Sequence, residues 1–326
     1  MVLFMPLTPP TLPRPPRLCG GFIQYWQPME TWGEDHWHPV LDAMVEAGMT
    51  VIVIQQLASE DDSGKVTPYM ADGQDATTII LRYAAEHGMR VYLGLLFNRL
   101  NGDLGSADPN RLDLEDTAEK TINLARIVAS RYGDYPSFTG WYIPLETWTS
   151  EPQTYLMTFK PFFQTVSRAC KQLADKPVAF SPFVNSSGET DQQIREVQAM
   201  YQEFLTGSGI DILMLQDGVG ARNLSLEALP PNGAYFEAIG AACATVGVGF
   251  WANVESFIDE GNNCRKPADP ERFKLQRHCI PTAEYAITFD FFHYMNPYVF
   301  LKCMNQARRE AMKTLYRAYL EESKDQ

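Results

Sequence analysis

Four things are missing from this sequence, and each absence removes a class of function. No apolar run approaches the roughly 18–20 residues that a membrane span needs. No G-x-G-x-x-G or Walker pattern follows the first strand-like segment, so nothing marks a nucleotide phosphate site. There is no G-x-S-x-G elbow, and no cysteine is set with clear purpose beside a histidine, which leaves serine and cysteine nucleophiles without support. A cationic surplus is also missing. The formal net charge is −13, which argues against a nucleic-acid or anionic-membrane partner and suits a neutral substrate.

Metal-ligating residues are sparse and scattered. The six cysteines (Cys19, Cys170, Cys243, Cys264, Cys279 and Cys303) contain no C-x-x-C pair, so they outline no structural zinc site and only weakly suggest a disulfide framework. Cys264 and Cys279 are spaced to bridge a loop, although reduced thiols fit the pattern better. "DHWH" places His36 and His38 at the H-x-H spacing of some barrel metalloenzymes. Here the pair falls where a helix is predicted to begin, and residues two apart on a helix do not face one way. His87, His278 and His293 are too dispersed to complete a site. A metal-dependent hydrolase is therefore the weakest reading kept, and no metal or organic cofactor is expected.

The start, "MVLFMPLTPPTLPRPPRLCG", is rich in proline and lacks the basic-then-apolar layout of an intact signal peptide. It is expected to be an extended leader over residues 1–18, ahead of one folded unit over 19–326. On this reading the chain as it stands is cytoplasmic, or secreted or periplasmic if a signal has been removed.

What is present is a core-forming α/β pattern. Hydrophobic residues make up 45 % of the chain and aromatics 12 %, ample for a sizeable core. Strands are predicted over 19–25, 50–55, 90–96, 138–145, 177–182, 211–216, 247–254 and 284–290. Amphipathic stretches lie near 36–48, 73–88, 113–132, 155–175, 189–207, 233–246, 268–280 and 298–322. Two helix exits, in "EAGMTVIVI" and "EHGMRVYLG", carry the expected glycine. Eight β-then-α units in succession predict an α/β fold consisting of a single (β/α)8 TIM barrel.

Three predicted strands end in an acid: "GWYIPLETW" in Glu146, "DILMLQDGVG" in Asp217 and "GFWANVESF" in Glu255. Barrel chemistry is built at such carboxyl ends. Side chains alternate along a strand, so Glu146 shares a side with Pro144 and Tyr142, and Glu255 with Asn253 and Trp251. Two carboxyl groups facing across a barrel mouth suit glycosidic bond cleavage, one protonated to serve the leaving oxygen, the other charged to attack carbon or activate water. The bland alternative is that each acid caps a helix or pairs with an arginine.

The six tryptophans add weight. Trp26, Trp32, Trp37, Trp141, Trp148 and Trp251 all fall within or just after predicted strands 1, 4 and 7, and flat rings stack on sugars. Trp26, Trp32 and Trp148 sit in predicted loops and make the better platforms; Trp141 and Trp251 also read as ordinary core. Polar side chains at strand ends complete the candidate substrate-binding set: Gln24, Gln55, Asn98, Asn185, Gln216, Asn253 and His293, beside Trp26, Trp148 and Trp251.

"YPSFTGWYIPLE", "LQDGVG" and "FWANVESF" resemble, in order and spacing, the signatures of the DUF4434 family of bacterial barrel domains placed near the glycoside hydrolases. The resemblance covers roughly residues 20–300 and implies a TIM barrel and a glycosidase, with Glu146, Asp217 and Glu255 at the family's acidic positions. The layout also resembles the large retaining clan whose acid/base ends strand 4 and whose nucleophile ends strand 7. It departs in one place: that clan has Asn before its strand-4 acid, and here Leu145 precedes Glu146.

The expectation is a glycoside hydrolase acting on an oligo- or polysaccharide. Glu146 serves as acid/base, Glu255 as nucleophile, and Asp217 orients one of them or the sugar. Two alternatives stand beside it: a non-catalytic carbohydrate-binding barrel, or an inverting enzyme in which Asp217 and Glu255 exchange roles.

Overall fold

Short runs such as "VIVI" and "ILMLQ" are apolar on both faces, which a strand tolerates only inside a parallel sheet covered on both sides. In a computed structural model eight such strands close into a parallel barrel, each bonded to its neighbours in chain order. They are β1 (Leu18–Ile23), β2 (Val51–Ile54), β3 (Arg90–Gly94), β4 (Phe138–Ile143), β5 (Val178–Phe180), β6 (Ile212–Gln216), β7 (Gly249–Glu255) and β8 (Tyr285–Phe289). The structure describes residues 15–98, 113–147, 153–183, 190–226, 229–261, 265–280 and 283–324.

Helices follow the strands: α1 (Glu34–Glu46), α2 (Ala76–Glu86), α3 (Leu114–Tyr132), α4 (Gln153–Leu173), α5 (Asp191–Leu205), α6 (Leu229–Val246), α7 (Pro270–His278), the single-turn α8 (Phe291–Tyr294) and α9 (Gln306–Lys324). Their starts are capped as the chemistry of orphan N–H groups demands. Asp75, Asp113 and Asp269 accept from first-turn amides of α2, α3 and α7, and Thr190 forms a reciprocal capping box with Gln193 on α5. Gly48 and Gly88, at the two helix exits singled out in the sequence, have φ of +74° and +66°, where a side chain would be strained. None of the described helices is long and apolar enough to cross a membrane.

Alternation along the strands divides the apolar residues into two cores. Phe22, Val51, Val53, Tyr92, Tyr142, Met214, Trp251 and Ile287 fill the barrel interior. Their chain neighbours, among them Ile52, Leu93, Trp141, Leu213 and Leu215, face outward and pack with the helices. This parity also governs the residues just past each strand end, and so it positions the site.

Two small sheets extend the carboxyl rim, and neither is part of the eightfold prediction. Ala58–Glu60 pairs with Val66–Pro68 and with Leu96–Asn98, forming a three-stranded sheet above β2 and β3. Phe257–Asp259 and Arg265–Pro267 form an antiparallel hairpin above β7. The last helix starts at Gln306 rather than near 298, because a separate single turn, α8, intervenes after β8.

Candidate active site

Inner parity carries three polar side chains out of the top of the barrel. From Tyr142, which fills the interior, two steps of two residues lead to Glu146; from Met214 one step leads to Gln216; from Trp251 two steps lead to Glu255. All three line one cavity of about 210 Å³, together with Gln24, Gln55, Phe97, Phe183, Ala221, Phe257, Arg265 and Phe289. Grooves of about 390 and 460 Å³ elsewhere are larger but run between outer helices, away from the strand ends, so size alone does not pick out the site.

Glu146 is half-buried and its carboxyl is pushed up to about 7. The main cause is loss of water around the charged form; a hydrogen bond from the Gln216 amide and the Arg265 cation pull the other way. Gln216 is itself anchored, its Nε2 donating to the Ser181 carbonyl at 2.9 Å. A carboxyl held near neutrality can keep a proton to give and can later take one back.

Glu255 is buried, 2 % exposed, and is also raised, first by burial and then by the negative charge of Asp217. Backbone N–H groups of Gly220 and Ala221 and the Arg265 cation favour its charged form. The Ala221 N–H donates to its Oε2 at 2.7 Å, and Arg265 lies near enough to attract it. Gly220 makes the amide contact feasible: a Cβ there would fall 2.1 Å from the Phe257 carbonyl oxygen and 3.1 Å from Glu255 Oε2. Arg265 comes from the rim hairpin, where Nε meets Asp259 Oδ2 at 3.2 Å and the guanidinium lies 4.8 Å from the Phe257 ring centre. No motif in the sequence marks it; only the hairpin register, Asp259 opposite Arg265, brings it over the cavity.

Asp217, expected to orient one of the two glutamates or the sugar, does not share their cavity. It has the parity of Leu213 and Leu215, so it lies behind the barrel wall, 2 % exposed and outside the cavity lining. Its Oδ1 accepts the N–H groups of Val219 at 3.2 Å and Glu255 at 3.3 Å, and its Oδ2 accepts from Gln276 Nε2 at 2.9 Å. Gln276 also donates to the Glu255 carbonyl at 3.0 Å. Asp217 thus holds the backbone on which Glu255 stands.

The other predicted binding residues separate into three groups. Gln24, Gln55 and Gln216 line the cavity, and Trp26 lines a second cavity beside it. Four lie elsewhere. Trp251 stands four residues before Glu255, on the order of 13 Å deeper at ~3.3 Å per residue, and packs on Tyr92 and Tyr285 in the barrel interior. Asn253 is wholly buried, its Nδ2 donating to Ser181 Oγ at 3.1 Å. Asn98 turns to the far face of its small sheet, where Nδ2 donates to Glu60 Oε2 at 3.0 Å. His293 is buried behind Trp26, ring against ring. Trp148 and Asn185 lie outside the described residues.

Of the histidine pair, His36 bonds Asp35 and stacks on Trp32, while His38 packs against Tyr83, so the two do not converge. Among the described residues no group of three or more His, Cys, Asp or Glu could hold a metal ion. Cys19, Cys170, Cys243, Cys279 and Cys303 are free thiols, and Cys264 lies outside the described residues.

Solved structures that this chain resembles include glycoside hydrolases. One from Bacteroides thetaiotaomicron, provisionally described as an alpha-L-fucosidase, superposes with a TM-score of 0.72 at 21 % identity, covering 98 % of this chain and 99 % of that one. An endo-1,4-beta-D-mannanase from Thermotoga petrophila gives 0.65 at 13 % identity, over 94 % of this chain and 99 % of the other. Xylanase B from Clostridium stercorarium gives 0.50 at 15 %, with coverage of 94 % and 99 %. At these identities the likeness establishes the fold. A comparison with curated proteins finds no match. Over residues 18–299 the sequence fits the profile of DUF4434, described as a domain of unknown function, and the chain belongs to that family.

Proposed function

We propose that this protein is a retaining glycoside hydrolase. The observation that carries the proposal is the pair Glu146 and Glu255, brought by inner parity from β4 and β7 into one small cavity with Gln216 and Arg265 around them. The glycosidase assignments of the proteins that share the fold support the reaction class.

In the first step Glu146 donates its proton to the glycosidic oxygen while the Glu255 carboxylate attacks the anomeric carbon. The bond to the leaving group breaks, the leaving group departs as an alcohol, and an ester joins the sugar to Glu255. Burial raises the Glu146 carboxyl to about 7, where it can give a proton. Glu255 is raised as well, by burial and by Asp217, and the Ala221 N–H and Arg265 oppose that rise and favour the charged form that must attack. In the second step the Glu146 carboxylate takes a proton from water, and that oxygen displaces Glu255 from the anomeric carbon. Asp217 acts as a positioning residue throughout. With Leu145 packed outward in front of Glu146, the amides of Gln24 and Gln55 serve the sugar hydroxyls; Gln55 Oε1 is buried without a partner and ready to accept one.

Turnover of a panel of aryl glycosides tests this reading. Glu146→Gln and Glu255→Gln should each lose at least about a thousandfold in kcat while the fold, followed by circular dichroism, is kept. Proton NMR of the first-formed sugar should show the anomer of the substrate. Unchanged turnover in either folded variant sinks the assignment, and the opposite anomer replaces it with an inverting one.

A further inference from the structure

The small sheet above β2 and β3 builds a second cavity that the two glutamates do not reach. Its register sets Ser59 beside Thr67 on one edge and beside Phe97 on the other, so these three side chains share one face. That face lines a cavity of about 440 Å³, completed by Asp61, Tyr69 and Gln56 and by Gln24, Trp26 and Gln27 from the loop after β1. Gln24 and Phe97 line both this cavity and the one holding the glutamates, so the two adjoin.

The chemistry of the lining is that of a sugar site. Trp26 is 38 % exposed, and one of its faces is taken by the His293 ring, 5.0 Å away and within 4° of parallel. His293 is held in turn by Asp290, through Nδ1 at 2.6 Å and its own N–H at 2.7 Å. The remaining indole face is thus presented as a fixed flat plate. Gln56, one of the lining residues, is buried, and its Oε1 has no hydrogen-bond partner, an acceptor left unmatched beside the cavity. Tyr69 spends its hydroxyl proton on Ser59 Oγ at 2.6 Å, which leaves the Ser59 proton free to donate. No lysine or arginine is among the described residues that line this cavity, and its one charged group is the Asp61 carboxylate.

We infer that this cavity is a second sugar-ring site contiguous with the catalytic one, and that the substrate is an uncharged oligosaccharide of at least two rings. This rests on the glycosidase reading for the identity of the first ring but not for the second site itself. The cavity at the glutamates, at about 210 Å³, is below the ~300–1,000 Å³ usual for extended ligands. A chain longer than one unit must therefore continue past Gln24 and Phe97. A uronate or sulfated ring there would set its anion near Asp61 with no lining cation to offset it.

Calorimetric titration of the full chain carrying Glu146→Gln tests the inference without turnover. The probes are cellohexaose, mannohexaose, xylohexaose, the matching monosaccharides, and hexagalacturonate. At least one neutral hexaose should bind tenfold or more tightly than its monosaccharide, and hexagalacturonate should bind more weakly than that hexaose. Adding Trp26→Ala, or separately Gln56→Ala, should weaken the hexaose about tenfold and leave the monosaccharide unchanged. Absence of hexaose binding, indifference to both substitutions, or preference for hexagalacturonate overturns the inference. Failure of the catalytic reading looks different: wild-type protein turns over no glycoside, yet Trp26-dependent hexaose binding remains.

Discussion

Gln216 and Asp217 are chain neighbours on opposite sides of one barrel wall. The Gln216 amide turns into the cavity and bonds Glu146; the Asp217 carboxylate turns outward, into the space between β7 and α7, and bonds Gln276 and the Glu255 backbone. One acid therefore stands apart from the proposed catalytic pair, and its removal should look different from the removal of either cavity acid.

Asp217→Asn keeps an oxygen for the Val219 and Glu255 amides but removes the negative charge that helps raise Glu255. The expected result is a folded enzyme with kcat lowered about tenfold to a hundredfold and the acid limb of kcat/KM moved to lower pH. A loss equal to that of Glu255→Gln, with an unmoved acid limb, would give Asp217 a direct role.

The pH profile of kcat/KM should be a bell whose limbs both lie above the ordinary glutamate value, because burial raises both cavity carboxyls. Its alkaline limb, where Glu146 gives up its proton, should lie well above the ordinary glutamate range. In Glu146→Gln the residual activity should lose that limb. Activity holding level to pH 9 in the wild type would remove Glu146 from the proton-donor role.

Stability should run against activity at this site. A glutamate raised in the folded state holds its proton there while the unfolded chain has already released it, so the native state binds more protons between about 4.5 and about 7. Native stability from this group is complete below the unfolded value and declines as pH rises through that window. Glu146→Gln removes the cost and should be the more stable protein at pH 8, by about 1–2 kcal/mol after allowance for solvent at the mouth. At pH 4 the two should be equal. Urea melts at both pH values read this directly, and equal midpoints at pH 8 contradict the buried-carboxyl account.

Gly220→Ala should be among the most damaging single-methyl changes in the chain. The added carbon would meet the Phe257 carbonyl at 2.1 Å and press on Glu255. A loss of about 2–4 kcal/mol in stability is expected, with kcat falling further than KM changes. A variant of wild-type stability and turnover would show that the loop can move aside at little cost.

Much of the candidate site was legible in the sequence, for one reason. The period-2 rule that pairs Glu146 with Tyr142 and Glu255 with Trp251 is local, and the barrel obeys it at both strands. Applied to "DILMLQDG", the same rule sends Asp217 outward with Leu213 and Leu215, so that correction was available in the sequence. The depth of Trp251 and Asn253 follows from rise per residue in the same way.

The sequence by itself determined the eight strands, their order, the glycine exits and the side of the wall on which each strand-end residue sits, because these follow from local apolar periodicity and backbone sterics. The tertiary structure alone decided which residues surround the two acids. Arg265 reaches Glu255 through a hairpin whose register pairs it with Asp259, and Ser59, Thr67 and Phe97 share a face only because three short rim strands align. His293 backs Trp26 because the loops after β8 and β1 meet where the barrel closes. Such contacts join residues far apart in the chain through packing, and packing leaves no periodic trace in the sequence.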